Sequence, residues 1–369
     1  MSQPWYAVEN IGEIPGPALL IYPDRVERNL QRMIAAAGGP ERLRPHVKTH
    51  KMAEVVRMKL AAGITKFKAA TIAESELCAS CGAPDVLLSF PQTGPNIDRL
   101  VRLVATFPNT HFSTLTDDEG HALHLSTAFA QVGRKIEVWL DVDVGQHRSG
   151  IAPDERAVAL YRRLHELPGT TPGGLHVYDG HVREQDLGER IAHGESSYAA
   201  VDALIKRLHA AGLPMQRPIC GGTPSFPVHS RQAERDCSPG TCVFFDISYA
   251  TKFPDLGYEY AALVMGRVVS KPGGDRVSIE LGYKAVSPDN PTLRVQLLDV
   301  PDAKVFGQWE EHLTVETPAA NRFSVGDVVY GVPNHICPTV ALFSEAYTVR
   351  NGRVDGVWKV AARDRRITI

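Results

Sequence analysis

Residues 42–51 read Arg-Leu-Arg-Pro-His-Val-Lys-Thr-His-Lys, with polar and apolar side chains alternating. As a strand, one face carries Arg44, His46, Lys48 and His50, and the other Leu43, Pro45, Val47 and Thr49. Buried unpaired charge is expensive, so a face of two cations and two imidazoles calls for anionic or polar company, such as a phosphorylated cofactor. A lysine held there can lose its proton and attack a carbonyl carbon. A solvated basic run on an edge strand produces the same pattern, and this segment alone leaves both readings open.

Two short glycine-bearing segments supply a complementary feature. Cys220-Gly-Gly-Thr-Pro224 and Ser238-Pro-Gly-Thr241 present backbone N–H groups at turns, as phosphate-binding loops do. Either one alone is an ordinary turn. Set at neighbouring positions opposite a lone inward lysine, the pair meets the needs of a pyridoxal phosphate pocket: a phosphate cradle on one side, a carbonyl-reactive amine on the other.

A further constellation is Pro333-Asn-His335-Ile-Cys337-Pro338. Two residues apart on an extended segment, His335 and Cys337 point the same way, as two ligands of one metal must. Imidazole with thiolate suits zinc or a similar borderline metal, and two protein ligands leave positions for water or substrate, as in catalytic sites. A buried cysteine beside a hydrogen-bonded histidine is the simpler reading of the two residues by themselves. Cys78-Ala-Ser-Cys81 has redox or zinc spacing, but it falls in an expected helix with no second cysteine pair nearby, and reads as two small buried residues.

These groups need a frame. Asp24 can cap a helix with Val26, Leu30, Met33 and Ile34 on its apolar face, ending at Gly38-Gly39-Pro40. The strand Leu43–Lys48 follows, then a helix over Met52–Ala62 and a strand over Lys66–Ala70. Further strands are expected at Val86–Phe90, His111–Leu115, Ile136–Val142, Gly174–Tyr178, Arg217–Cys220 and Thr241–Phe245, with helices at Ala157–Leu167 and Tyr198–Ala211 among those between. About eight strands alternating with helices make an α/β chain, most economically a (β/α)8 TIM-like barrel, with a doubly wound open sheet as runner-up. Reactive groups of such a barrel gather at the strand C-termini.

After Pro254 the pattern changes. Lys271-Pro-Gly-Gly-Asp275 and Asn351-Gly352 separate apolar runs as hairpin turns do, and Ser324-Val-Gly-Asp327 introduces another strand. The expected organisation is a barrel over 23–254 and a C-terminal antiparallel β domain made of 1–22 plus 255–369, carrying His335 and Cys337.

Length and composition agree. The 369 residues, 43 % hydrophobic and 22 % charged, suit one large and one smaller globular domain. A net charge of −2 offers nothing to nucleic acid, and no apolar run approaches a membrane span. Six cysteines in a chain this long do not form a disulfide framework, and Met1-Ser-Gln-Pro-Trp-Tyr6 lacks a secretory pattern, so a cytoplasmic location is expected.

In chain order, Arg44-Pro-His-Val-Lys-Thr-His-Lys51, Asp141-Val-Asp-Val-Gly-Gln-His-Arg-Ser-Gly150, Tyr178-Asp-Gly-His181, Gly221-Gly-Thr-Pro224, Ser238-Pro-Gly-Thr-Cys-Val-Phe-Phe-Asp246, Glu311-His312 and Pro333-Asn-His-Ile-Cys-Pro338 resemble one family. It is the D-threonine aldolase / D-serine dehydratase family, of the alanine-racemase-like, fold-type III class of pyridoxal phosphate enzymes. The resemblance runs over essentially the whole chain and implies a barrel plus β domain, normally a homodimer.

Residue by residue, the resemblance implies that Lys48 holds the cofactor covalently. It places Arg148 near the ring's phenolic oxygen, Tyr178 beside the ring, and Gly221, Gly222, Thr223, Gly240 and Thr241 on the phosphate. His335 and Cys337 would bind a divalent metal (Zn, Mn or Mg). Without the family pattern, Arg148 reads as a partner of Asp141 or Asp143, and Tyr178 as a core tyrosine. Cys242 stands where the family often has tyrosine. His-x-Cys at 335–337 is the dehydratase spelling, whereas the stretch Phe244–Asp255 looks closest to D-threonine aldolases.

The implied activity is a lyase acting on a small D-amino acid with a β-hydroxyl. In the aldolase version a base such as His50, or a metal-bound hydroxide, takes the β-hydroxyl proton, and D-threonine gives glycine and acetaldehyde. The alternative is dehydration of D-serine or 3-hydroxy-D-aspartate, with Lys48 removing the α-proton. A racemase, or a non-catalytic pyridoxal phosphate carrier, suits the metal pair less well.

Overall fold

Apolar residues spaced three and four apart settle as helices, and short apolar runs settle as strands buried on both faces. In the computed structural model, which describes residues 4–369, the chain begins with β1 (Ala18–Ile21), α1 (Pro23–Ala37) and α2 (Ala53–Ala61). It continues through β2 (Lys66–Ala69), α3 (Ile72–Ser80), β3 (Asp85–Leu88), α4 (Pro95–Thr106), β4 (His111–Thr116), α5 (Glu119–Gln131) and β5 (Ile136–Val142). Next come α6 (Glu155–Glu166), β6 (Thr170–Val177), α7 (Leu187–Ala210), β7 (Ile219–Cys220), α8 (Phe226–His229), β8 (Asp236–Cys237) and α9 (Ile247–Lys252). The remainder is β9 (Ala262–Gly273), β10 (Arg276–Ile279), β11 (Val295–Leu297), β12 (Lys304–Gln308), β13 (Leu313–Glu316), β14 (Val328–Pro333), α10 (Ile336–Val340), β15 (Glu345–Arg350) and β16 (Arg353–Lys359). The first three residues of the Met1-Ser-Gln-Pro-Trp-Tyr6 run, and of the expected 1–22 segment, lie outside the described residues.

The chain divides into two units. One comprises Met33–Lys48, Val55–Gly240 and Asp364–Ile369; the other comprises the chain up to Arg32, Thr49–Glu54 and Thr241–Arg363. In the first, β2 to β8 form a parallel sheet in sequence order. Leu87, Leu115, Trp139 and Ile219 pack together in its core. Trp139 fits because β6 offers glycine beside it: a Cβ on Gly173 would lie 2.6 Å from the indole nitrogen.

The expected strand Leu43–Lys48 is not a regular strand. It forms two isolated parallel bridges, Leu43 to Cys237 and His46 to Lys68, because Pro45 has no amide to continue a ladder. The Arg44 amide donates to the Cys237 carbonyl (2.8 Å) and the Val47 amide to that of Lys68 (2.9 Å). Residues 43–47 therefore span the two edges of the seven-stranded sheet, completing a TIM-like (β/α)8 ring.

A second correction concerns Thr241–Phe245. That segment begins with a 3-10 turn over Thr241–Val243, and the last strand of the sheet is the two-residue β8 just before it. Ser238–Thr241 thus follows a strand C-terminus rather than leading into a strand.

The other unit is a nine-stranded sheet of order β12-β13-β10-β9-β1-β15-β16, with β14 joining β9 and β11. It is mixed rather than wholly antiparallel, since β1 runs parallel to β15. Asn351 and Gly352 adopt φ of 50° and 74°, and join β15 to β16 as the Asn-Gly signal predicts. Val264, Ile279, Leu313 and Val329 are fully buried in one core of this unit, and Leu20, Leu263 and Met265 in another. Among the described residues no helix is long and apolar enough to cross a membrane.

Candidate active site

In the barrel unit a cavity of about 340 Å³ is lined by His46, Lys48, Lys68, Asp141, Arg148, Ser149, His176 and Tyr178, with Ser89, Leu115 and others completing the wall. Lys48 follows the bridged segment at a turn, and its side chain is exposed. Its amide donates to His46 Nδ1 (3.2 Å), and the His46 amide donates to the Pro239 carbonyl (2.9 Å), which ties the lysine to the second glycine loop. Arg44 turns elsewhere: it is buried and makes a bidentate pair with Asp85 at 2.5 and 2.8 Å. The alternation expected over 44–50 therefore ends at Lys48.

Asp143 shapes the loop that presents Arg148. Its Oδ1 accepts from the amides of Gly145 (2.9 Å) and His147 (3.0 Å), and His147 adopts a φ of 53°. The Arg148 guanidinium lies 4.6 Å from the Tyr178 ring centroid, a cation–π contact, and makes no ion pair among the described residues. Pairing with Asp141 or Asp143, the simpler reading from sequence, is not found. Asp141 instead accepts from His176 Nδ1 (2.6 Å) and Ser149 Oγ (2.9 Å).

The first glycine loop is shaped by a buried cluster. Asp179 accepts from Ser225 Oγ (2.5 Å) and binds His229 Nε2 (2.7 Å), and the Gly222 amide donates to Ser225 Oγ (3.2 Å). Burial alone would raise the Asp179 carboxyl, but His229 and Ser225 hold it below the usual range. Gly221 sits at a φ of +71°, and a Cβ there would meet His229 at 2.6 Å. On Gly222 a Cβ would come within 3.2 Å of the Tyr178 ring. The Gly240 amide donates to Thr223 Oγ1 (3.1 Å), joining the two loops. The bare backbone of these glycines, with the Lys48 amine and the cationic lining, fits a phosphorylated aldehyde cofactor.

Lys48 is not the lone inward lysine expected. Lys68, from β2, lines the same cavity at 4 % exposure. Burial pushes it down to about 7, with Lys48 adding to the shift. Burial and the Lys68 ammonium also hold His176 below the ordinary imidazole range, against the pull of Asp141. His176 belongs to the run His176–His181 at a strand end, where a barrel gathers its reactive groups, but Lys68 merely continues a strand, and nothing local marks its inward aim. Asp179 lies in a quoted motif, but Ser225 and His229 reach it only through the fold.

In the β unit, His335 and Cys337 do approach, though not on an extended segment. His335 is the extended N-cap of α10 and Cys337 lies in its first turn. Their side chains are hydrogen-bonded, and Asp289 binds His335 Nδ1. Burial works against the charged imidazole, but Cys337 and Asp289 raise it to about 9. Thr49 Oγ1 and Thr241 Oγ1 lie 3.2 and 3.6 Å from Cys337 Sγ. Among the described residues no group of three or more His, Cys, Asp or Glu forms a metal cage. A carboxylate behind an imidazole beside a thiol is nevertheless a set of donors that an open two-ligand metal site would use.

Thr241, expected on the phosphate, directs its hydroxyl towards Cys337. His50 is buried, with Nδ1 accepting the Met52 amide (3.2 Å) and its ring edge-on to Phe244. Cys78 is buried in α3 and Cys81 caps that helix.

Comparison with known proteins gives the same frame a family. Residues 21–247 match the model of the alanine racemase N-terminal domain, and residues 261–349 that of a "Putative serine dehydratase domain". A D-threonine aldolase of an Arthrobacter species is 28 % identical over 360 residues, covering 96 % of this chain and 94 % of that one. The solved D-threonine aldolase of Filomicrobium marinum superposes with a TM-score of 0.88 at 26 % identity, covering 96 % and 97 %. The solved D-threo-3-hydroxyaspartate dehydratase of Delftia sp. HT23 gives 0.83 at 26 % identity over 94 % and 97 %, and a cysteine-to-alanine variant of such a dehydratase is known in a metal-free form. The chain belongs to the alanine-racemase-like, fold-type III family of pyridoxal phosphate enzymes that includes the D-threonine aldolases and D-hydroxyaspartate dehydratases.

Proposed function

We propose that this chain is a pyridoxal phosphate- and divalent-metal-dependent lyase of D-β-hydroxy-α-amino acids, cleaving D-threonine to glycine and acetaldehyde. The observation that carries the reading is the exposed Lys48 amine in a cavity beside two joined glycine loops. The whole-chain likeness to D-threonine aldolases supports it.

Lys48 would hold the cofactor through its amine, while the loop residues Gly221, Gly222, Thr223, Gly240 and Thr241 would surround the phosphate. Arg148 and Tyr178 would orient the ring. When bound, the cofactor supplies an electron sink for the pair left on Cα. The Lys48 amine would be placed to deliver a proton to Cα, completing glycine. His335 and Cys337 would hold the metal, with Asp289 orienting His335; a divalent cation there supplies Lewis acidity towards a β-hydroxyl. If His50 acts as the base, Nε2 would have to take the proton, since Nδ1 is committed to the Met52 amide.

His335-Ile-Cys337 favours a second reading, a dehydratase. There Lys48 takes the α-proton and hydroxide leaves from Cβ, so that D-serine would yield pyruvate and ammonia. Incubating the purified protein with D-threonine, D-serine and 3-hydroxy-D-aspartate, with a divalent metal, separates the two. Glycine plus aldehyde is the expected result, and a 2-oxo acid plus ammonia overturns it. A small D-amino acid is the partner in either case, and the family's usual assembly makes a homodimer the expected state. Loss of turnover on EDTA treatment, restored by metal, excludes a mere cofactor carrier.

A further inference from the structure

Two side chains of the cavity remain unused by these roles. The Lys68 Nζ makes no hydrogen bond or ion pair among the described residues, although the side chain is 96 % buried; its near partner is the face of the Tyr178 ring, 5.8 Å from the centroid. His176, 3 % exposed, commits Nδ1 to Asp141, and its buried Nε2 has no hydrogen-bond partner. Buried polar groups are nearly always satisfied, so two orphans on one cavity wall point to a ligand group that completes both.

The orphans are complementary. With the Nδ1 hydrogen given to the Asp141 carboxylate, His176 Nε2 carries a lone pair and needs a donor. Lys68 offers N–H and needs an acceptor. Asp141 already accepts from His176 and Ser149 through its two oxygens. A carboxylate or phosphate would answer Lys68 but set an anionic oxygen against the Nε2 lone pair. A hydroxyl answers both: its oxygen accepts from Lys68 and its hydrogen goes to His176.

We propose that Lys68 and His176 form a hydroxyl-recognising subsite in the cavity, with the Asp141-backed imidazole as acceptor of the O–H and the lysine amine as donor to the oxygen. The subsite rests on the function proposed above, which brings two hydroxyls to this cavity: that of the cofactor ring and the β-hydroxyl of the amino acid. For either, the pair favours the ionised form. The proton passes from oxygen to Nε2, the resulting imidazolium is held by Asp141, and the negative oxygen faces Lys68. The lowered His176 keeps the ring neutral and receptive near pH 7.

The test uses holoenzyme reconstituted with pyridoxal phosphate and freed of metal by EDTA, so that no cation contributes to hydroxyl binding. Rapid-mixing absorbance titrations with D-serine and D-alanine read the two dissociation constants. Wild type is expected to bind the hydroxylated ligand about tenfold or more tightly, and Lys68→Met and His176→Phe to bind both alike. If the preference survives but the resting absorbance of both variants shifts, the ring hydroxyl is the group held, which also supports the subsite. Unchanged preference and unchanged absorbance in both variants, each shown to be folded by circular dichroism, overturn it. A wild type that gains no cofactor absorbance overturns the functional reading itself, and the subsite with it.

Discussion

The hydroxyl of Thr49 lies 3.2 Å from the thiol sulfur of Cys337, and Thr49 is the residue that follows Lys48 in the chain. A residue next to the proposed cofactor lysine thus helps to orient the proposed metal ligand. Cys337→Ala is expected to lose most of the bound metal and turnover while retaining the absorbance of the bound cofactor. Thr49→Val keeps the ligand but loses its hydrogen bond, and should weaken metal binding about tenfold. Metal content after gel filtration and competition with a chromophoric chelator measure both. A fully active Cys337→Ala enzyme would remove the metal from the mechanism.

Lys48→Ala should abolish covalent retention of the cofactor and activity together. Borohydride reduction followed by peptide mapping identifies the modified residue. Since Lys68 opens on the same cavity, the mapping must separate the peptides containing 48 and 68. Label at 68, or none at either, contradicts the assigned role of Lys48.

Asp179 carries the first glycine loop. Its carboxylate is buried with His229 and Ser225, and removing one partner of such a cluster leaves the others uncompensated. Asp179→Ala should cost about 3–5 kcal/mol of stability and weaken pyridoxal phosphate binding. Ser225→Ala should cost about 1 kcal/mol and act mainly on the cofactor. Chemical denaturation and fluorescence titration with pyridoxal phosphate read the two effects. Stability loss in Asp179→Ala without any change in cofactor affinity would separate the cluster from the loop it supports.

Lys68 makes the cofactor-free protein's stability depend on pH. Burial, with Lys48 and Arg148 against it and Asp141 for it, holds Lys68 near 7, whereas an unfolded lysine titrates near 10.5. Between those values the unfolded chain binds a proton that the folded chain does not, so stability rises as pH increases from about 7 to about 10.5 and the penalty is full below 7. Lys68→Met should therefore be more stable than wild type at pH 7, by a few kcal/mol, with the advantage fading towards pH 10. Urea denaturation at pH 7, 8.5 and 10 measures it; parallel curves for the two proteins would show that Lys68 is charged when folded.

Much of this was legible in the sequence. Ile136–Val142 forms the expected strand, helix and strand periods place β2 to β6, and Asn351-Gly352 turns where it should. Such features depend on neighbours along the chain, where side-chain period and turn chemistry act directly. The misses lie where long-range pairing decides. Pro45 breaks the regularity of 43–48, yet bonds to the edges on both sides keep that segment in the ring. Asp236–Cys237, too short to show a pattern, becomes a strand because β7 is there to pair with it.

The site divides in the same way. Residue types and spacing mark Lys48, the two glycine loops and the His335–Cys337 pair as candidates, because an amine, glycine-bearing turns and soft ligands announce their chemistry locally, and only the family resemblance adds Arg148 and Tyr178. The buried Lys68, the Asp141–His176 dyad, the Asp179 cluster and the Asp289 contact to His335 emerge only once distant segments meet. Their roles depend on burial and on partners 35 to 46 residues away, as in the His176–Asp141, Ser225–Asp179 and His335–Asp289 pairs. A side chain's desolvation and the direction it faces are set by packing, and no local pattern of residues encodes them.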